Sequence, residues 1–155
     1  MIGITELSIP KGIKQIHYGC FEGCPNLKKV NFSVDLTMNE IEENVFKSTS
    51  IESITIPSSI KIVGKSSFQN CKNLTNVQFL ENNTTIYPSS FYQCNQIESF
   101  SFNSVIQIYD HMFSKFVYFS NNDDINIIKD FLVKNEQIIQ FHQACLSFSH
   151  LLIDD

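Results

Sequence analysis

Cysteine and histidine are the side chains here whose chemistry could make a nucleophile or a metal site. The chain has five cysteines and four histidines. Cys20 and Cys24 are four apart, but no second pair or nearby histidine completes the four ligands that a structural zinc site needs. We therefore predict no metal site. The cysteines are Cys20, Cys24, Cys71, Cys94 and Cys145, and the histidines are His17, His111, His142 and His150.

The best candidate for a catalytic thiol is Cys145, which has His142 and His150 close by in sequence. A catalytic thiolate must be exposed and activated, whereas Cys145 falls on an apolar stripe. The chain also lacks a nucleophile elbow, a phosphate-binding loop and a dinucleotide glycine pattern, and it has only five glycines. We expect a non-enzyme with no catalytic residue, no cofactor and no bound metal.

A regular spacing of phenylalanines shows that the chain is built from repeats. Five of them are separated by 25, 22, 23 and 22 residues. An apolar ladder precedes each one, clearest in the segment IESITIPSSIKIVGKSSFQNCKN from Ile51 to Asn73. Such self-similarity is the signature of a stacked repeat architecture. The five residues are Phe21, Phe46, Phe68, Phe91 and Phe113.

Within one repeat the apolar spacing predicts a solenoid coil. Ile54 and Ile56 are two apart, so they point to one face of a short strand. Pro57 ends that strand because proline cannot donate to a ladder. Ile60 and Val63 then turn the chain along a second side, before a polar segment suited to a helical or 3₁₀ turn. One coil cannot bury this much apolar surface alone, so about five coils must stack.

Three cysteines recur with the repeat. Cys24, Cys71 and Cys94 hold the same position in their coils, which favours buried free thiols that pack as small apolar side chains. Cys71 and Cys94 should lie on adjacent coils, within the range that a disulfide permits. A disulfide between them therefore remains the alternative.

The pattern L-x-x-I-x-I-P-x-x-[IV]-x-x-[IV]-x-x-x-x-F-x-x-C-x-x-L resembles the BspA-like class of leucine-rich repeats. The segment IESITIPSSIKIVGKSSFQNCKNL fits it at nearly every fixed position, and the resemblance covers roughly residues 4–116. The second and fifth copies carry Thr49 and Phe116 in place of the cysteine. The resemblance implies a parallel-stranded solenoid, roles in adhesion or protein interaction, often at bacterial or protist surfaces, and no catalytic residues.

Residues 117–155 break the repeat, and we assign residues 1–116 to the solenoid. Ile125, Ile128 and Leu132 fit one helical stripe, and a second runs from Ile138 to Leu152. We predict an α/β leucine-rich-repeat solenoid whose open end is capped by these C-terminal α-helices. The alternative is that the helices begin a further helical segment or bind a partner.

The residues that alternate with the buried strand positions should point outward. Stacking would align them in two columns that are polar, short and nearly uncharged, with no large aromatic anchor. This face is our candidate surface for a protein partner, possibly a glycan. The alternatives are a merely solvated face and a structural scaffold segment of a larger repeat protein without its own binding role. Its residues are Glu6, Ser8, Lys29, Asn31, Ser53, Thr55, Asn76, Gln78, Ser99 and Ser101.

Composition limits the other functions. The 155 residues are 43% hydrophobic and 17% charged, enough for a core and unlike disorder. The net charge is −5 and the 11 basic residues are scattered, so nucleic acid is not an expected partner. No signal peptide or membrane-length apolar run is evident. As written the chain is expected in the cytoplasm, or at the cell surface if it is a fragment. Its oligomeric state is not predicted.

Overall fold

In the computed structural model, residues 3–80, 84–87 and 89–102 are described in full, and residues 105–110 and 115–120 are described as strands. From β2 to β9 the described strands alternate between two sides of the coils. In chain order the strands are β1 (Glu6–Ile9), β2 (Lys29–Phe32), β3 (Glu40–Ile41), β4 (Ser53–Ile56), β5 (Ile62–Val63), β6 (Asn76–Phe79), β7 (Thr85–Ile86), β8 (Ser99–Ser101), β9 (Val105–Asp110) and β10 (Lys115–Ser120).

The strands form two sheets that run along a solenoid. The first sheet has the order β1-β2-β4-β6-β8, and all its pairs are parallel. The five strands of the first sheet are separated by four turns of the chain. The second sheet has the order β10-β9-β7-β5-β3. The predicted stack of parallel-stranded coils is therefore confirmed.

The strands of the first sheet follow the alternation read from the sequence. In β4 and β6 the burial pattern is exposed, buried, exposed, buried. Ile54 pairs with Val77 and Ile56 with Phe79, so apolar residues of successive coils lie above one another. Their side chains are almost fully buried, because the coil interior is the only apolar environment available to them.

A column of aromatic rings fills the other side of the interior. The ring of Phe21 stacks on Phe46 with 5.7 Å between centroids, and Phe46 stacks on Phe68 at 5.4 Å. Phe68 continues onto Phe91 at 5.3 Å. Phe46, Phe68 and Phe91 are fully buried, whereas Phe21, in the first coil, is only partly covered. The prediction that these four phenylalanines lie inward is confirmed; Phe113 lies outside the described residues.

The segment before each phenylalanine is not helical. It consists of turns, and each coil holds two residues with a left-handed backbone four positions apart. In the first coil these are glycines, but Asn44 and Ser66 hold the first position in the next two coils, with φ of 61° and 56°. The described residues therefore form a β-solenoid, and the predicted α/β class is not confirmed.

The chain departs from the parallel pattern at the last described strand. β10 pairs antiparallel with β9, with Lys115 opposite Asp110 and Ser120 opposite Val105. Residues 117–120, which we expected to precede capping helices, thus belong to a strand. The predicted helical stripes, from Ile125 to Leu132 and from Ile138 to Leu152, lie outside the described residues, as does Cys145. The domain boundary at 116 remains a prediction.

Candidate functional site: the strand face

The outward side chains of the first sheet form the candidate site, which we call the strand face. Glu6 pairs with Lys29, Lys29 with Ser53, Ser53 with Asn76 and Asn76 with Ser99. These pairs make one of the two predicted columns. In the second column the described pairs are Ser8 with Asn31, Thr55 with Gln78 and Gln78 with Ser101. All ten side chains are exposed except Asn31, which is partly buried.

The first two coils of the strand face carry a charged cluster. The Nζ atom of Lys29 lies 3.2 Å from Oε1 of Glu6, and Asn31 Nδ2 donates to the same oxygen at 2.7 Å. The hydrogen bonds from Lys29 and Asn31 and the lysine charge hold the pKa of the Glu6 carboxyl below its ordinary value. These three side chains satisfy one another, so they offer few free groups to a partner.

The later coils of the strand face are uncharged and free to bind. Ser53, Thr55, Asn76 and Gln78 make no side-chain hydrogen bond to the rest of the described chain. Hydroxyls and amides both donate and accept hydrogen bonds. This part of the surface can therefore bond to a polar partner without first breaking an internal contact.

A groove interrupts the strand face between β2 and β4. β1 pairs with β2, and β4 with β6, over four residues each, whereas β2 and β4 share the single pair Lys29 and Ser53. The groove, which we call the β2–β4 groove, has a volume of about 210 Å³. It is lined by Lys29, Val30, Asn31, Phe32, Ser33, Val34, Ser53, Thr55, Pro57 and Leu80.

Pro57 removes the hydrogen bond that would close the ladder between the two strands. In neighbouring coils the residue that follows a strand donates its N–H to the last residue of the preceding strand. Ser33 N donates to Ile9 O at 2.9 Å, and Leu80 N donates to Ile56 O at 3.0 Å. Pro57 holds the equivalent place opposite Phe32 but has no N–H. The ladder therefore lacks its closing hydrogen bond where the groove opens.

Extra residues in the second coil add one wall of the groove. In the third coil, the last residue of the first-sheet strand, Ile56, and the last residue of the following short strand, Val63, are seven positions apart. In the second coil the equivalent residues, Phe32 and Ile41, are nine positions apart. The additional length leaves the Val34 side chain 88% exposed at the rim. We did not predict the groove, although this difference in length was its signal in the sequence.

A second cavity lies at the open side of the first coil. It has a volume of about 290 Å³ and is almost wholly apolar, with Leu7, Ile9, Ile13, Ile16 and Phe21 among its lining residues. The same side chains in later coils are covered by a neighbouring coil. This cavity is therefore the uncovered end of the solenoid interior.

Residues 1–120 match the family profile described as the BspA type leucine rich repeat region, in six copies. The chain belongs to the BspA-type leucine-rich repeat family. No curated protein matches it at a significant level.

Among solved structures, the BspA-type chain is similar to a pneumococcal protein described as the vaccine antigen PcpA. The two share 20% sequence identity with a TM-score of 0.53. The match covers 67% of this chain and 30% of that chain, so this chain spans less than a third of the relative's length. At this identity the likeness supports the solenoid fold alone.

The recurring cysteines of the BspA-type repeat are structural in this chain. Cys71 Sγ donates to Phe46 O at 3.2 Å, and Cys94 Sγ donates to Phe68 O at 3.0 Å, so each thiol joins its coil to the previous one. Both thiols are free and buried, and Cys24 is free and partly buried. The hydrogen bond with Cys71 and then burial raise the pKa of the Cys94 thiol well above its usual value. Such a thiol is a poor nucleophile.

In the described coils, the remaining histidine and acidic side chains are not grouped around one common point. His17 Nδ1 lies 3.6 Å from Glu42 Oε1, and Gln15 donates to the same oxygen at 2.6 Å, which ties the first coil to the second. In the part of the chain that the structure describes, no three histidine, cysteine or acidic side chains are grouped as a metal site requires. Nor does a helix within that part have the length and apolarity to cross a membrane. His111, His142 and His150 lie outside it.

Proposed function

We propose that this chain is a non-catalytic interaction module that binds a protein partner with its strand face. The observation that carries the proposal is the uncharged part of that face, where Ser53, Thr55, Asn76 and Gln78 are exposed and unengaged. Polar groups that already face water and have no internal partner cost little to transfer to a partner that replaces their water hydrogen bonds. A rigid stack of parallel strands holds them in place, so little conformational entropy is lost on binding.

The character of the face also favours a particular strength of interaction. The described strand face has no exposed aromatic side chain of the type that dominates tight interfaces. Its polar columns favour a broad, modest contact whose affinity grows when several copies act together. Adhesion is such a setting. A glycan partner is the variant of this proposal that the hydrogen-bonding groups would also serve.

A site-specific crosslinking experiment tests the proposal. A photoreactive amino acid is introduced at Thr55, in the strand face, or at Lys61, which is exposed on the turn between β4 and β5. Both proteins are incubated with extract of the native cell and irradiated. We expect a discrete crosslinked protein from position 55 and none from position 61.

Competition makes the experiment decisive. Unlabelled wild-type chain should suppress the crosslink from position 55. The Thr55→Arg/Gln78→Arg double variant should not, because two arginine side chains would cover the polar columns of the strand face. Equal suppression by both proteins, or equal crosslinking from positions 55 and 61, would contradict a role for the strand face.

A structural role without binding is the second candidate, and the uncovered end of the first coil favours it. The apolar side chains of Leu7, Ile9 and Ile13 lie where another coil would pack, and the chain spans 30% of its solved relative. In this case the chain would be a scaffold segment of a longer repeat protein. If the chain is only a scaffold, we expect no crosslink from the strand face of the folded protein.

A further inference from the structure

We propose that the β2–β4 groove binds an aliphatic side chain of an extended, uncharged peptide segment. This inference rests on the proposed function and adds to it the anchoring point and the chemistry of the partner. Four properties of the groove support it: its walls, its hydrogen-bonding groups, its charge and its size.

The walls of the groove are aliphatic. Val34 is 88% exposed and Leu80 is 42% exposed, and both line this one groove from different coils. Pro57, from the coil between those of Val34 and Leu80, also lines the groove, and Phe32 adds a half-buried ring. Covering two exposed aliphatic side chains with a third removes apolar surface from water on both partners.

The hydrogen-bonding groups of the groove match a peptide backbone. The carbonyl of Phe32 lacks the donor that an N–H at position 57 would supply. Because β2 and β4 each already have a strand on both sides, a bound segment lies across their outward face and does not add as a further strand. The hydroxyls of Ser53 and Thr55, which line the same groove, can donate to the carbonyls of that segment.

Lys29, the charged residue of the groove lining, is already paired. Lys29 lies 3.2 Å from Glu6, and Lys28 Nζ lies 3.8 Å from Glu52 Oε1. The groove is thus close to neutral on a chain whose net charge is −5. A charged ligand side chain would gain no free opposite charge there and would lose hydration, so an uncharged segment is preferred.

The size of the groove fits one side chain with its flanking backbone. Its volume of about 210 Å³ is below the roughly 300–1,000 Å³ typical of sites for whole small molecules. The rest of the ligand must therefore lie on the strand face, next to Thr55 and Gln78. This arrangement makes the groove the anchor of the broader polar contact.

Titration of the full chain with defined peptides tests the inference by backbone amide NMR. The probe is the capped hexapeptide acetyl-GSLSGS-amide, and the comparison peptides replace its leucine by aspartate or by glycine. We expect saturable shifts of the amide signals of Phe32, Ser33, Val34 and Thr55 with the leucine peptide. Binding of the aspartate and glycine peptides should be at least about tenfold weaker, as expected for the loss of one buried aliphatic side chain.

Two variants locate the site. Val34→Asp should weaken the leucine peptide about tenfold, and because Val34 is 88% exposed the fold should tolerate it. Ile4→Asp is the matched control, an exposed aliphatic residue outside the groove lining, and should leave binding unchanged. A circular dichroism melt confirms that both variants fold.

The outcomes separate this inference from the proposed function. No groove shifts with the leucine peptide, or equal binding by Val34→Asp, would overturn the inference while the crosslink at position 55 still stood. Groove shifts with methyl glucoside in place of the peptide would also overturn it and would favour a glycan. Peptide binding in the groove without any crosslink at position 55 would instead contradict the wider role of the strand face.

Discussion

Gly64 lies directly against the backbone of Ile41 in the preceding coil. Its N–H donates to Ile41 O at 2.8 Å, and a Cβ atom at position 64 would meet that oxygen at 2.7 Å. The two coils approach more closely here than any side chain allows. The glycine is therefore needed for the spacing of the second and third coils.

Gly64→Ala should destabilise the solenoid by about 2 kcal/mol, since the added methyl must displace backbone atoms. Urea denaturation measures the change in free energy of unfolding. Gly12→Ala is the control, because nothing lies within 4 Å of a Cβ at that position. If both alanine variants had the same stability, the close approach of the coils at Ile41 would be wrong.

The sequence predicted those features of the fold that depend on residues recurring at a fixed spacing. Ile54, Ile56 and Phe68 recur at fixed spacing, so their burial and the register of the first sheet followed directly. The short strands of the second sheet did not, because two residues such as Ile62 and Val63 cannot display an alternation. Left-handed positions held by Asn44 and Ser66 were also missed, since neither residue type requires that backbone.

The candidate site was predicted unevenly for a related reason. The exposed positions of β4 and β6 follow from the same period as the core and were predicted correctly, whereas a binding role for them stays a prediction. The β2–β4 groove depends on a difference between coils, namely a missing N–H at Pro57 and two extra residues before Ile41. A repeat pattern describes what the coils share, so it hides such a difference.

Ser67 and Ser90 hold the same position in consecutive coils but differ in their hydrogen bonds. Both are fully buried. Ser90 Oγ donates to Gly64 O at 2.9 Å and is also close to Tyr87 O, whereas Ser67 Oγ has no partner among the described residues. A buried hydroxyl without a partner retains its desolvation cost.

This difference predicts opposite effects of one substitution. Ser90→Ala should lower the free energy of unfolding by about 1 kcal/mol through the lost hydrogen bond. Ser67→Ala should leave it unchanged or raise it by up to about 1 kcal/mol. Thermal and urea denaturation of the two variants side by side provide the measurement. Equal losses in both would show that Ser67 is hydrogen-bonded after all.

Phe68 is the central ring of the aromatic column, in contact with Phe46 on one side and Phe91 on the other. Phe68→Ala should cost about 3–5 kcal/mol, because it removes a fully buried side chain and leaves a cavity between two coils. Thr55→Ala, at an exposed position of the strand face, should change stability by less than about 0.5 kcal/mol. Circular dichroism melts of both variants test the assignment of inward and outward positions. If neither substitution lowered the stability, that assignment would be wrong.

Glu6 makes the first coil of the strand face sensitive to acid. Lys29 and Asn31 lower the pKa of its carboxyl from the ordinary 4.5. A carboxyl whose pKa is lower in the folded state stabilises the fold above its unfolded pKa, and that contribution is lost as the pH falls through the folded value. The loss therefore occurs as the pH falls below that ordinary pKa of 4.5.

The Glu6 titration can be followed directly through its side-chain carboxyl carbon by NMR. We expect a midpoint below 4.5 in the wild-type chain and a rise toward that value in Lys29→Met, because the variant removes both the hydrogen bond and the charge that Lys29 supplies. Lys11→Met, which removes a lysine that makes no contact with Glu6, should leave the midpoint where it was. An unaltered midpoint in Lys29→Met would show that the cross-strand pair does not form in solution, and with it the charged cluster that leaves the groove neutral.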